Sequence, residues 1–152
     1  MIAEGYKIVP VLRDTNIDGS TDLTSIDASG YHRATFVFTF GAGVDTTFTF
    51  HSAATTGGRT TAMPFYYARG SAAIGTANQD VLEAWGHVPA DGTTDDVEIV
   101  CENRLVVCEV DFAGMTSTHK FVTGRVAAAS GIVHGVAILV PRYKSHRSPT
   151  SA

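Results

Sequence analysis

The residues best equipped for chemistry lie in DTNIDGSTDLTS, Asp14 to Ser25. Asp14, Asn16, Asp18 and Gly19 follow the D-x-N-x-D-G opening of a calcium loop, and Asp22 falls at the ninth position. Oxygen donors at alternate positions suit a hard cation, but the twelfth position is Ser25, where a bidentate carboxylate is needed. Neither flank reads as a helix. Asp and Asn also hydrogen-bond turn backbone, and Gly19 can supply a positive φ, so a turn is the favoured reading. Asp14, Asn16, Asp18 and Asp22 stay as secondary metal candidates.

Other constellations are thinner. Gly41-Ala42-Gly43 resembles a phosphate loop but lacks the third glycine, and a strand follows where a helix N-terminus is required. Cys101 and Cys108 have no zinc spacing and read as small buried hydrophobes with free thiols. The histidines (His32, His51, His87, His119, His134, His146) form no H-x-H or H-x-x-x-H pair. His51 is expected at the rim of the phenylalanine core. No serine sits in a G-x-S-x-G elbow, and Asp95 and Asp96 fall in a loop. Trp85, Tyr66 and Tyr67 could stack on a sugar, although filling the core is the commoner use of aromatics. No catalytic residue and no cofactor is assigned, and the chain is expected not to be an enzyme.

The elements that must position these groups announce themselves in ATFVFTFGAGVDTTFTF, Ala34 to Phe50. Phe36, Phe38, Phe40, Phe48 and Phe50 are even-numbered, while Thr35, Val37, Thr39, Thr47 and Thr49 are odd. Successive side chains of a strand point to opposite faces, which gives one phenylalanine face and one threonine-rich face. A hairpin turning near Val44 would pair Phe40 with Phe48 and Phe38 with Phe50, and would need a second apolar layer.

The rest of the chain supplies that layer as strands. Of its 152 residues 44% are hydrophobic and 17% charged, which is enough for one domain with a real core. YKIVPVLR is a first strand, with Pro10 marking an edge or a break. AMPFYYAR, VEIVCENRLVVCEVDF (split at Asn103), HKFVTGRV and GIVHGVAILV follow, and TANQDVLEAWG fits a short helix or a strand equally. The expected fold is all-β: a single antiparallel β-sandwich or barrel of about eight short strands, with at most one short helix.

Nothing approaches the roughly 20 apolar residues of a membrane helix, and the start lacks a signal-peptide core, so synthesis and folding in a cytosol are expected. The net charge of −4 argues against nucleic acid as a partner. Arg142, Lys144 and Arg147 follow Pro141 without an acid, leaving 8 basic against 15 acidic side chains in residues 1–140. Residues 1–141 therefore read as the domain and residues 142–152 as a basic tail, mobile unless a partner holds it.

SIDASGYHRATFVFTFGAG, DTTFTFHSAATTGG and GVAILVPRY together resemble small virion proteins of tailed bacteriophages. The shared pattern is an apolar-Asp-x-x-Gly-Tyr segment, here Ile26 to Tyr31, then an Ala-Thr-Phe strand, a Gly-rich turn and a second strand. A last strand ends in Pro141-Arg142-Tyr143. The likeness covers residues 16 to 58 and 130 to 143. It implies a capsid decoration (cement) protein bound outside the shell of major capsid protein, as a homotrimer in the virion, or else a small tail or connector component. Arg142, Tyr143, Lys144 and Arg147 are the expected partner-binding residues, because Arg forks onto carboxylates and Tyr fills shallow pockets.

Overall fold

The structure is a computed structural model that describes residues 6–43, 45–90, 97–100, 103–128 and 131–142. The described residues form twelve strands and no helix. These are β1 (Lys7–Asn16), β2 (Gly19–Asp22), β3 (Ile26–Asp27), β4 (Tyr31–Gly43), β5 (Asp45–Ala53) and β6 (Thr61–Ala62). The second half adds β7 (Phe65–Arg69), β8 (Gly86–Val88), β9 (Val97–Val100), β10 (Leu105–Asp111), β11 (Phe121–Ala128) and β12 (Gly131–Pro141). The surplus over about eight comes from five edge segments of four residues or fewer, β2, β3, β6, β8 and β9.

All pairings are antiparallel, in two sheets. Sheet A has the order β1-β12-β4-β10-β7-β8. Sheet B has the order β2-β11-β5-β6, with β3 also on β11 and β9 also on β5. The chain is thus a β-sandwich. Pro10 sits on the edge strand β1, at a register shift, where its missing N–H costs no ladder bond.

The phenylalanine segment is not a hairpin. β4 belongs to sheet A and β5 to sheet B, so its two arms face each other across the interior. Phe36 meets Phe50 at 4.7 Å between ring centroids, Phe38 meets Phe48 at 5.2 Å, and Phe40 meets Phe48 edge-on at 5.9 Å. Each arm is the other's apolar layer. Phe36, Phe38, Phe48 and Phe50 are fully buried, each contributing about 1.5–3 kcal/mol by leaving water. A hairpin and an arch give the same parity, and only the arch hides both arms at once.

The same crossing recurs between β9 and β10. They pair with β5 and β4 respectively, so they form no hairpin that could face one cysteine with the other. Cys108 is buried in the core, and Cys101 lies outside the described residues. Asn103 takes the connection with a φ of 50°. Residues 71–85 are turns and bends tied down by the Gly70–Leu82 bridge, by Ile74 N–H donating to Asn103 O at 2.6 Å and by Glu83 N–H donating to Arg69 O at 2.8 Å. Gly75 (φ 90°) and Asn78 (φ 62°) break any helix there. Glu83 anchors the segment to Arg69 at 2.7 Å and to Arg104 at 3.6 Å.

Candidate functional site

The Asp/Asn stretch is the crossing from sheet A to sheet B. Asn16 ends β1, Ile17 is wholly buried beneath the crossing, and Gly19 starts β2 at a φ of 93°. The candidates are therefore dealt to two sheets: Asp14 and Asn16 on β1, Asp22 on β2, and exposed Asp18 between them. Asp22 is committed to Arg125, accepting from Nε at 2.6 Å and from Nη2 at 3.0 Å. Those hydrogen bonds hold its carboxyl below the usual carboxylate range against a smaller opposing effect of burial, and they raise Arg125. Among the described residues no cluster of His, Cys, Asp or Glu converges as a metal site.

The outer face of sheet B is closed by its own loop. Residues 54–60 fold back so that Gly57 N–H donates to Ser25 Oγ at 3.1 Å, and Ser25 Oγ meets Thr123 Oγ1 at 2.7 Å. Arg59 donates to Thr49 Oγ1 and lies 2.9 Å from His51 Nδ1. Thr49 and Thr123 are consequently buried on an outward-facing side. His51 belongs to this threonine side and not to the core's rim, as its odd number requires.

The outer face of sheet A differs. Cross-strand partners share a face, so the register aligns Pro10, Val136, Val37, Val107 and Ala68 in one row. The next row runs Ile8, Ile138, Thr35, Glu109, Tyr66 and His87. Ile8 is 53% exposed, Ile132 51% and Val136 36%. Exposed aliphatic side chains thus lie on β1 and β12, beside the mixed outer row Arg33, Thr35, Val37 and Thr39 of β4, and the far edge is aromatic. The Tyr66 and His87 rings meet at 4.6 Å, tilted by 40°, and Trp85, two residues before His87, is exposed. Tyr66 and Trp85 thus leave the core, while Tyr67 packs against it.

Two cavities open where sheets and loops meet. One, of about 300 Å³, runs from Ser52 past Pro64 to Tyr66, His87 and Asp111. The other, of about 480 Å³, lies between the turn at residues 28–30, residues 112–120 and the end of β12. Ser52 Oγ and His119 Nδ1, 2.8 Å apart, stand between the two. Ser52 is fully buried, and among the described residues no carboxylate bonds this imidazole, so the pair lacks the orienting acid of a hydrolase triad.

The strand before the tail ends at Pro141 and not at Val140, with Pro141 paired to Tyr31 across a register shift. Arg142 folds back: its N–H donates to Gly30 O and its Nε to Tyr31 O, both at 2.8 Å. Gly30 has the positive φ, 83°, that this turn demands. Tyr143, Lys144 and Arg147 lie outside the described residues. Sequence reasoning passed over His119 and Lys120, which only the β3–β11 pairing brings to the same end as Arg142. It also passed over the face of sheet A, whose signal was present: GIVHGVAILV is apolar at both parities.

A scan against protein-family models and a search of curated proteins found no match. Solved structures do match. The SPBc2 prophage-derived protein YomS aligns with 89% of this chain and 92% of its own, at 12% identity and a TM-score of 0.53. A family two carbohydrate esterase from Cellvibrio japonicus aligns with 90% of this chain but 35% of its own, at 7% identity and a TM-score of 0.40. At 12% identity what is shared with YomS is a fold, over nearly the whole of both chains.

Proposed function

We propose that this chain is a phage virion structural protein of the decoration type, attached as a homotrimer to the outside of a shell of major capsid protein. The observation that carries the reading is the outer face of sheet A. It leaves Ile8, Ile132 and Val136 exposed on β1 and β12, whereas the opposite outer face is covered by the chain's own loop. A strand apolar at both parities is ordinarily covered on both sides, and the second cover here is a neighbouring protein. The prophage origin of YomS and the quoted sequence pattern support a phage setting for that neighbour.

The test is co-sedimentation with expanded and unexpanded heads, beside a variant in which Ile8→Asp and Val136→Asp charge the face. Binding to expanded heads, lost in the charged variant, is expected, and removing residues 144–152 should weaken it. Failure to bind either head, with binding to tails or connectors, would move the protein elsewhere in the virion. Trp85, Tyr66 and His87 favour a second reading, a sugar-binding β-sandwich. Saturable quenching of Trp85 fluorescence by a sugar would favour it over the first.

A further inference from the structure

The larger cavity has a charge that the chain as a whole does not. Acids outnumber Lys and Arg by 15 to 11 in the sequence, yet among the described residues the cavity is lined by His119, Lys120 and Arg142 and by no acidic side chain. The nearest acids in sequence are engaged at turns: Asp27 accepts from Ser29 N–H at 2.9 Å and Asp111 from Ala113 N–H at 2.8 Å. Among the described residues neither Lys120 nor Arg142 has a carboxylate within ion-pair distance.

The arrangement is also oriented. Arg142 is held through its main-chain N–H and its Nε, which leaves both Nη groups for a ligand. Such a planar fork matches the two oxygens of a carboxylate. Lys120 is fixed through its backbone, donating to Ala53 O at 3.0 Å and accepting from Ala28 N–H at 2.7 Å, so its ammonium stem starts from a rigid point. Ser29, Thr116 and Ser117 add hydroxyls at the rim, while Phe112 and Met115 give an apolar floor.

We infer that this cavity binds the carboxylate of an acidic protein segment, an Asp or Glu side chain on Arg142 and Lys120 with its methylenes on the Phe112–Met115 floor. A free phosphate would leave most of the 480 Å³ and all of the floor unused. The inference does not rest on the capsid reading, because it concerns the chemistry of the guest and not the protein that presents it.

The experiment is an NMR titration of the isotope-labelled full chain with a blocked Gly-Glu-Glu-Gly peptide. Its Gln-Gln counterpart, glucuronate and inorganic phosphate are run alongside at low and moderate salt. Saturable shifts confined to residues 28–30, 112–120 and 142 are expected with the Glu peptide, with binding at least about tenfold weaker for the Gln peptide. Binding should weaken with salt, as for any exposed ion pair. Lys120→Gln, whose backbone bonds persist, should lose several-fold affinity, and Arg142→Lys should lose the remainder while the amide spectrum stays folded. Equal binding of Glu and Gln peptides, shifts elsewhere, or an unchanged Lys120→Gln would overturn the inference. Tighter binding of glucuronate or phosphate than of the Glu peptide would also overturn it and give the cavity to those anions.

Discussion

Gly124→Ala and Gly135→Ala should both destabilise the protein, although alanine is ordinarily the better residue inside a strand by about 0.5–1 kcal/mol. Gly124 is the cross-strand partner of Phe50 in sheet B, and Gly135 that of Phe38 in sheet A. Each ring lies over its glycine. A methyl at residue 124 would stand 2.5 Å from Leu23 Cδ1 and 2.8 Å from Phe50 Cε1. At residue 135 it would stand 2.7 Å from Phe38 Cδ1 and 3.2 Å from Val11 Cγ2. Carbon contacts are comfortable at about 3.5–4.0 Å, so a ring must move by most of an ångström in an interior packed like a crystal. Overpacking of this kind costs about 1–3 kcal/mol, which exceeds the gain from replacing glycine and leaves a net loss of about 1–2 kcal/mol. Urea unfolding should show that loss as a lower midpoint at unchanged slope, and heating as a fall of about 3–6 °C in Tm. Gly41→Ala is the control, because its methyl would find nothing nearer than Ile132 O at 3.6 Å. In a Phe50→Leu background the penalty at residue 124 should shrink. Gly124→Ala and Gly135→Ala variants as stable as the parent would refute the ring-on-glycine packing.

The arch predicts that Phe38→Ala and Phe50→Ala each cost about 3–5 kcal/mol in denaturant unfolding. Thr39→Ala should cost under about 0.5 kcal/mol. Thr49→Ala, which strips a buried acceptor from Arg59, should cost about 1–3 kcal/mol, and parity between the two threonines would contradict the Arg59 cover. Because the folded Asp22 pKa is depressed, its contribution is complete above the ordinary carboxylate range near 4 and is lost as pH falls through the folded value. The pair is largely exposed, so Asp22→Asn should cost under about 1 kcal/mol at neutral pH, and a cost that persists in strong acid would refute the pairing. Calcium at millimolar excess should leave Tm unchanged, since Asp22 is occupied by Arg125. A rise abolished by Asp22→Asn would restore the metal site. Trp85 should emit as a water-exposed indole and be quenched readily by acrylamide, and a blue-shifted, protected emission would place it against the interior.

Face parity was legible in the sequence and partnership was not. The even phenylalanines of residues 36–50 do line the core, because the two-residue period of a strand is fixed by backbone geometry. Whether the second arm lies beside the first or opposite it depends on which strands take the main-chain bonds, and that choice involves β10, β11 and β12 from the far end of the chain. Pro10 marked an edge because a missing donor is a local fact. Arg142, Lys120 and His119 share a cavity for a non-local reason. β3 pairs with β11 across about ninety residues, and no short spacing could announce it. TANQDVLEAWG fits a short helix or a strand equally on paper, but Asn78 spends its conformation on a turn, Leu82 makes a single bridge, and Glu83 is drawn to two arginines.

The arch also explains why the two outer surfaces differ. In a hairpin Thr35, Val37, Thr39, Thr47 and Thr49 would have formed one continuous mixed face. Folding the ribbon over itself sends the first three to the outside of sheet A and the last two to the outside of sheet B. On sheet B Thr49 lies opposite Arg125 beneath the returning loop, and its hydroxyl accepts from Arg59. On sheet A Val37 lies between Val107 and Val136, while Thr35 has Ile138 and Glu109 beside it and Thr39 has Leu105 and His134. One face is therefore covered by the chain's own loop, and the other keeps Ile8, Ile132 and Val136 exposed. A charged substitution at Val37, between those neighbours, should leave the monomer folded and remove only what attaches to it. The same charge at Thr49 should unfold the protein. Opposite outcomes at two odd positions of a single ribbon would follow from the division of β4 and β5 between two sheets and from nothing in the local sequence around either residue.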